Sequence, residues 1–216
     1  MPRITRNSDD ARNSVPPIAE RKRGPWLMLR LPLFLSVCLF LPWALAACAG
    51  DGWRDARRDS AGIAPDPAGY DGAVVQIYAA AVYGWRGVVA DHTWIAVKPR
   101  GAATYKRYEV IGWRLRRGRS VVAETSGAPD GYWYGSAPKL LVDIRGDQAQ
   151  ALIPRIADAS ACYPWPDRYE VWPGPNSNSY TQWIALVVPE LALSLPWRAV
   201  GKNWMLENFD EDASSC

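Results

Sequence analysis

The chain is poor in histidine, phenylalanine and freely available cysteine, and each scarcity removes a class of function. One histidine, His92, in 216 residues leaves no His/Cys cluster for zinc, so neither a metal nor another cofactor is expected. Four cysteines do not make a disulfide framework, because Cys38 lies within an apolar run and Cys48 near its end. Cys162 and Cys216 are left as the one pair available for a bridge, and Cys216 ends a tail, FDEDASSC, that reads as frayed. No glycine-rich loop precedes Gly201-Lys202, so a nucleotide site has no support. An excess of positive charge is missing too. Of 25 Lys+Arg and 22 Asp+Glu, seven bases and three acids precede Cys48, leaving 18 against 19 in the remainder. The formal +3 therefore belongs to the leader, and no nucleic-acid partner is expected.

What is present is an address. LPLFLSVCLFLPWALAACA, Leu31 to Ala49, is apolar and follows Arg21, Lys22, Arg23 and Arg30. Leu45-Ala46-Ala47-Cys48 has the form of a bacterial lipoprotein cleavage box, in which the Cys48 thiol takes a diacylglyceryl group before the leader is cut. The run is also long enough for an uncleaved membrane anchor. Either way the basic flank stays in the cytoplasm, and everything after Ala49 lies outside it, on the periplasmic side in a Gram-negative cell. The leader is long for a signal peptide, although Met28 offers a later start.

Residues 50–72 carry no apolar period and read as a tether. Residues 73–206 read as the folded domain, and 207–216 as an acidic tail. Strand patterns run over Ala73–Ala80, Val88–Pro99, Tyr105–Trp113, Ser120–Gly127 and Lys139–Gly146, with a short one at Tyr169–Trp172. Helical spacing begins at Asp147, with Pro154 inside, and recurs at Tyr180, Trp183, Ile184 and Val187 until Pro189. The fold class is α+β: a single domain with a mainly antiparallel sheet and two main helices.

Twelve tryptophans against three phenylalanines imply a core filled with indoles, with Trp94, Trp113, Trp133 and Trp183 as core candidates by pattern. The functional alternative is an aromatic groove for glycan or lipid. Arg114, Arg116, Arg117 and Arg119 read as a solvated turn, with anionic headgroups or cell-wall phosphates as the functional counterpart.

VVQIYAA, YGWRG, HTWIAVKP, YEVIGWR and VWPGPNSNSYTQWIA, in this order, resemble the bacterial domain-of-unknown-function family 3750, over roughly Ile63 to Met205. A more distant likeness is to circularly permuted papain-like proteins, such as lecithin–retinol acyltransferase relatives and permuted cell-wall amidases. There a histidine opens a strand, and a nucleophilic cysteine follows later in an Asn-Cys-x-x-aromatic motif at a helix start. His92 opens HTWIAVKP, and Asn176-Ser177-Asn178-Ser179-Tyr180 matches the later motif with Ser177 where the cysteine stands. The resemblance implies a permuted papain-like fold, Ser177 as nucleophile, His92 as base, and Asn176, Asn178 and Tyr180 around the ligand.

A helix N-terminus offers free N–H groups and partial positive charge to an oxyanion. Serine gains less from it than a thiol and needs a placed base. Glu109, on the next strand, is the candidate for orienting His92, sharing its face if the hairpin pairs 92 opposite 109; a slip of one residue separates them. The plain alternatives are that Ser177, Asn178 or Ser179 is an N-cap, that His92 is a satisfied core histidine, and that Cys162 is a small buried hydrophobe rather than a nucleophile. Because the cysteine is missing, the favoured expectation is a membrane-anchored, non-catalytic envelope module binding a glycan, peptide or lipid. The alternative is an envelope hydrolase or acyltransferase using Ser177 and His92.

Overall fold

In the computed structural model, residues 52–209 are described. The apolar run, Cys48 and the end of the acidic tail lie outside them, so the anchor is not addressed by the fold. Among the described residues no helix is long and apolar enough to cross a membrane.

Five antiparallel strands form one sheet: β1 (Val74–Ala81), β2 (Asp91–Lys98), β3 (Lys106–Val110), β4 (Val122–Ser126) and β5 (Lys139–Arg145), in the order β4-β3-β2-β1-β5. Three α-helices follow: α1 (Gly146–Ala161), α2 (Ser177–Val187) and α3 (Lys202–Asn208). The chain is thus the expected single α+β domain.

Side-chain alternation divides the core in two. Val75, Ile77, Ile95, Val97 and Tyr108 project to one face, where Leu152 and Ile156 of α1 and Tyr180, Trp183 and Ile184 of α2 cover them. Val74, Tyr78, Ala80, Trp94 and Ala96 project to the other, where loops cover them through Ala64, Tyr70 and Trp133. Burial on both faces explains why β1 reads VVQIYAAA, with almost no polar alternation.

Several expectations need correction. The strand patterns at Val88–Ala90 and Ile111–Trp113 stop short, because Gly84–Val88 and Gly112–Arg117 form 3-10 turns that flank β2 and β3. Tyr169–Trp172 is not a strand; Glu170 N–H donates to the Pro175 carbonyl at 2.8 Å, closing a proline-rich loop on itself. α2 begins at Ser177 and is capped by Asn176, not by Ser177, Asn178 or Ser179. The third helix, α3, was not anticipated, and it draws Glu207 and Asn208 out of the supposed tail.

The supposed tether is docked on the domain. Its lack of apolar period is compensated by hydrogen bonds: fully buried Asp130 accepts from Ser60 Oγ at 2.7 Å and from the N–H groups of Ile63 and Ala64 at 2.5 and 3.1 Å. Tyr105 Oη donates to the Pro65 carbonyl at 2.9 Å. The N–H groups of Tyr132 and Gly135 donate to the carbonyls of Asp59 and Arg57. This segment therefore braces the 128–136 loop.

Candidate functional site

β2 starts at the end of the sheet where α2 also starts, and side chains from both line one cavity of about 780 Å³. His92, Asn176, Ser177 and Asn178 are in its wall with Trp113, Trp133 and Tyr134.

The start of α2 is fixed by a dense set of bonds. Asn176 Oδ1 accepts from the N–H groups of Asn178 (2.9 Å) and Ser179 (3.2 Å), and Ser179 Oγ accepts from Asn176 N–H, completing a capping box. Asn178 Nδ2 donates to the carbonyls of Asp91 and Val200 at 2.9 and 2.8 Å, and its Oδ1 accepts from Thr93 Oγ1 at 2.9 Å. Thr93 Oγ1 also lies 2.9 Å from Thr181 Oγ1. Gly201 closes the corner: its φ of +98° and a Cβ that would meet the Asn176 amide at 2.3 Å leave room for glycine alone. The two asparagines expected to bind a ligand thus line the cavity but spend their amides on structure. Tyr180 is a correction: it is fully buried, its Oη donates to Ser160 Oγ at 2.7 Å, and it is not in the cavity wall.

Thr93 points to α2, so by alternation His92 points to the opposite face of the sheet. There its Nε2 meets Glu109 Oε2 at 2.9 Å, and Arg107 Nη2 meets the same oxygen at 2.8 Å. The register differs from the one imagined for this pair. β2 and β3 pair Ile95 with Tyr108 and Ala96 with Arg107, which continues to Trp94 opposite Glu109. His92 and Glu109 are thus diagonal neighbours on one face, within reach of long side chains. Above them His92 stacks on Trp133, with ring centroids 3.7 Å apart and planes 11° apart, and Arg107 lies 4.1 Å over Trp94.

Charge assignment follows from this burial. Desolvation pushes the His92 pKa below its ordinary value and outweighs the opposing pull of Glu109. Desolvation would raise Glu109, but the hydrogen bond from His92 and the charge of Arg107 outweigh it and hold the carboxyl below its ordinary value. The resting state is therefore neutral imidazole against carboxylate and guanidinium. A carboxylate only accepts, so His92 carries its proton on Nε2 and Nδ1 keeps the basic lone pair.

Ser177 is nearly buried in the cavity wall, and its hydroxyl has no hydrogen-bond partner among the described residues. Of the first-turn N–H groups, the cap occupies those of residues 178 and 179 and leaves that of Ser177 unused by it. His92 and Ser177 share the cavity without a hydrogen bond between them. Cys162 is disulfide-bonded, so the thiol alternative is removed. Among the described residues no cluster of metal-binding side chains occurs.

Of the four indoles assigned to the core, Trp94 and Trp183 are there, whereas Trp133 is a half-buried cavity wall and Trp113 is 43 % exposed. Sequence reasoning missed Arg107 and Trp133 as partners of the His92 pair. The i, i+2 spacing of Arg107 and Glu109 on one strand was the signal for the first; Trp133 sits in a loop and gave none.

A mainly antiparallel α+β domain with a buried imidazole–carboxylate pair at an aromatic cavity is the class that these features define. The chain belongs to the family described as "Protein of unknown function (DUF3750)", whose model matches residues 72–204. No curated protein and no solved structure gives a significant match.

Proposed function

We propose that this protein is an acyl-transferring enzyme of the bacterial envelope, a hydrolase or acyltransferase acting on an ester or amide. The observation that carries this reading is the neutral, carboxylate-oriented His92 sharing a cavity with the Ser177 hydroxyl at the start of α2, which has no hydrogen-bond partner among the described residues. Ser177 Oγ attacks the acyl carbonyl as His92 Nδ1 takes its proton, and the Ser177 N–H faces the developing oxyanion. The bond to the leaving group breaks as that proton passes to it. Water or an acceptor nucleophile then releases the acyl group by the reverse proton path, restoring the serine. Glu109 is a positioning residue, and Arg107 keeps it ionised. Membrane attachment is through the Leu31–Ala49 run or lipid on Cys48; fatty-acid label lost in Cys48→Ala identifies the lipid form.

The test is labelling of the full chain with a fluorophosphonate probe, which needs no knowledge of the substrate. Label is expected on Ser177, absent in Ser177→Ala, and slowed on the order of 10²-fold or more in His92→Ala, assayed well below that variant's own unfolding midpoint. Failure of the parent chain to label favours the second reading, a non-catalytic module of permuted papain-like type holding a glycan, peptide or lipid. The lack of a Ser177–His92 hydrogen bond and the position of His92 on the sheet face opposite α2 are the observations on its side.

A further inference from the structure

The cavity mouth is bordered by side chains that neither the core nor the proposed chemistry uses. Trp85 and Trp172 are 76 % and 74 % exposed, Val88 and Val171 are 74 % and 67 % exposed, and Val89 and Trp113 are about half exposed. All but Val88 line the cavity directly, and Val88 closes the 3-10 turn that carries Trp85. Three arginines stand among them: Arg86, Arg116 and Arg117. None of the three enters an ion pair among the described residues, whereas the one acidic residue of the cavity wall, Asp91, is paired with Arg198 at 2.9 Å. The rim is therefore apolar, indole-rich and uncompensated in positive charge.

Exposed apolar patches of this kind mark interaction surfaces. Tryptophan and arginine also serve protein and glycan sites, but on a chain whose proposed attachment is to a membrane, exposed tryptophan beside arginines without an ion pair among the described residues fits the headgroup layer of an anionic bilayer. We infer that this rim docks on the surface of an anionic membrane, so that the cavity opens against the lipid headgroups. The inference rests on the membrane attachment proposed above. Chain length agrees with it, since Cys48 stands five residues ahead of Trp53 in the cavity wall, a stretch of backbone spanning at most about 18 Å.

The test is hydrogen exchange on the full chain reconstituted in phosphatidylglycerol/phosphatidylcholine vesicles and in phosphatidylcholine vesicles. Amides of residues 84–89 and 112–117 should exchange more slowly in the anionic vesicles. Arg116→Gln with Arg117→Gln should lower the docking constant by on the order of thirtyfold, at the ~1 kcal/mol expected per juxtamembrane charge. Trp85→Ser with Trp172→Ser should weaken docking in both charge backgrounds, with melting curves showing that each variant folds. Equal exchange in both vesicle types overturns the inference. So does protection that rises with protein density, which means a second copy covers the rim, or protection seen only with soluble cell-wall glycan. A chain that floats with neither vesicle overturns it together with the anchor. Ser177→Ala separates the two proposals, because it removes probe labelling and leaves rim protection intact.

Discussion

Glu109→Gln is the perturbation that tests the buried pair most directly. The substitution keeps shape and one hydrogen-bond acceptor but removes the charge facing Arg107, whose side chain is 12 % exposed and whose Nη2 lies 2.8 Å from the carboxylate. Breaking a buried pair from one side costs about 3–5 kcal/mol, chiefly because the surviving ion keeps its desolvation penalty. For a domain of this size each kcal/mol moves the midpoint by roughly 2–4 °C, so thermal unfolding should fall by roughly 6–20 °C. Arg107→Met added to Glu109→Gln should recover part of that loss, since the stranded guanidinium is gone. The single histidine supplies a second readout: without Glu109 pulling it upward, the His92 pKa measured by NMR should fall further below its ordinary value. A loss under about 1 kcal/mol with no rescue by Arg107→Met would refute the reasoning, because it would mean that the guanidinium is solvated after all.

The remaining expectations concern pH, the brace and the helix start. Both His92 and Glu109 have folded pKa values below the unfolded ones, so the unfolded chain binds protons that the fold refuses; stability is full above about pH 6.5, declines as His92's unfolded form protonates, and declines again below about 4.3 as Glu109's does. His92→Gln should flatten the first decline in denaturant midpoints measured against pH and leave the second. A chain beginning at Asp71 should be less stable than one beginning at Gly52 by at least about 3 kcal/mol, because the Asp130 side chain loses its three partners in the 52–70 segment; equal denaturation curves would show that this segment is a passive tether. Asn178→Ala removes the bonds that join α2 to β2 and to the Val200 carbonyl and should cost about 2–3 kcal/mol, with exchange of the first α2 turn accelerated before that of its last.

The sheet was legible because its strands alternate or run apolar between clear turns, and β5 through α1 because the period changes from two to 3.6 at Gly146. What escaped was structure stabilised without apolar pattern. Residues 52–72 are held by backbone N–H groups on Asp130 and by carbonyls offered to the 132–135 loop, and none of that leaves a hydrophobic period. Gly112–Arg117 was read partly as strand because Trp113 continued the alternation. Gly112 breaks it: a Cβ there would meet the Tyr169 ring at 2.5 Å, so the chain turns against that ring instead of pairing.

For the site, the composition of the sequence was a better guide than its local geometry. With one histidine in the chain, any imidazole chemistry had to involve His92, whereas Glu109 on the next strand was its partner only in a register that set the two on one face. Continued past the Ile95–Tyr108 pair, the register would set Trp94 opposite Glu109, and the diagonal His92 contact survives because a two-residue offset preserves the face. An offset of one would have exchanged His92 with Thr93 and turned the imidazole into the α2 interface. Thr93 already fills that position with bonds to Asn178 and Thr181, each 2.9 Å long, that a ring could not reproduce. The same threonine thus specifies both halves of the site: it ties the serine-bearing helix start to β2, and it commits its neighbour to the face where carboxylate, guanidinium and indole are waiting.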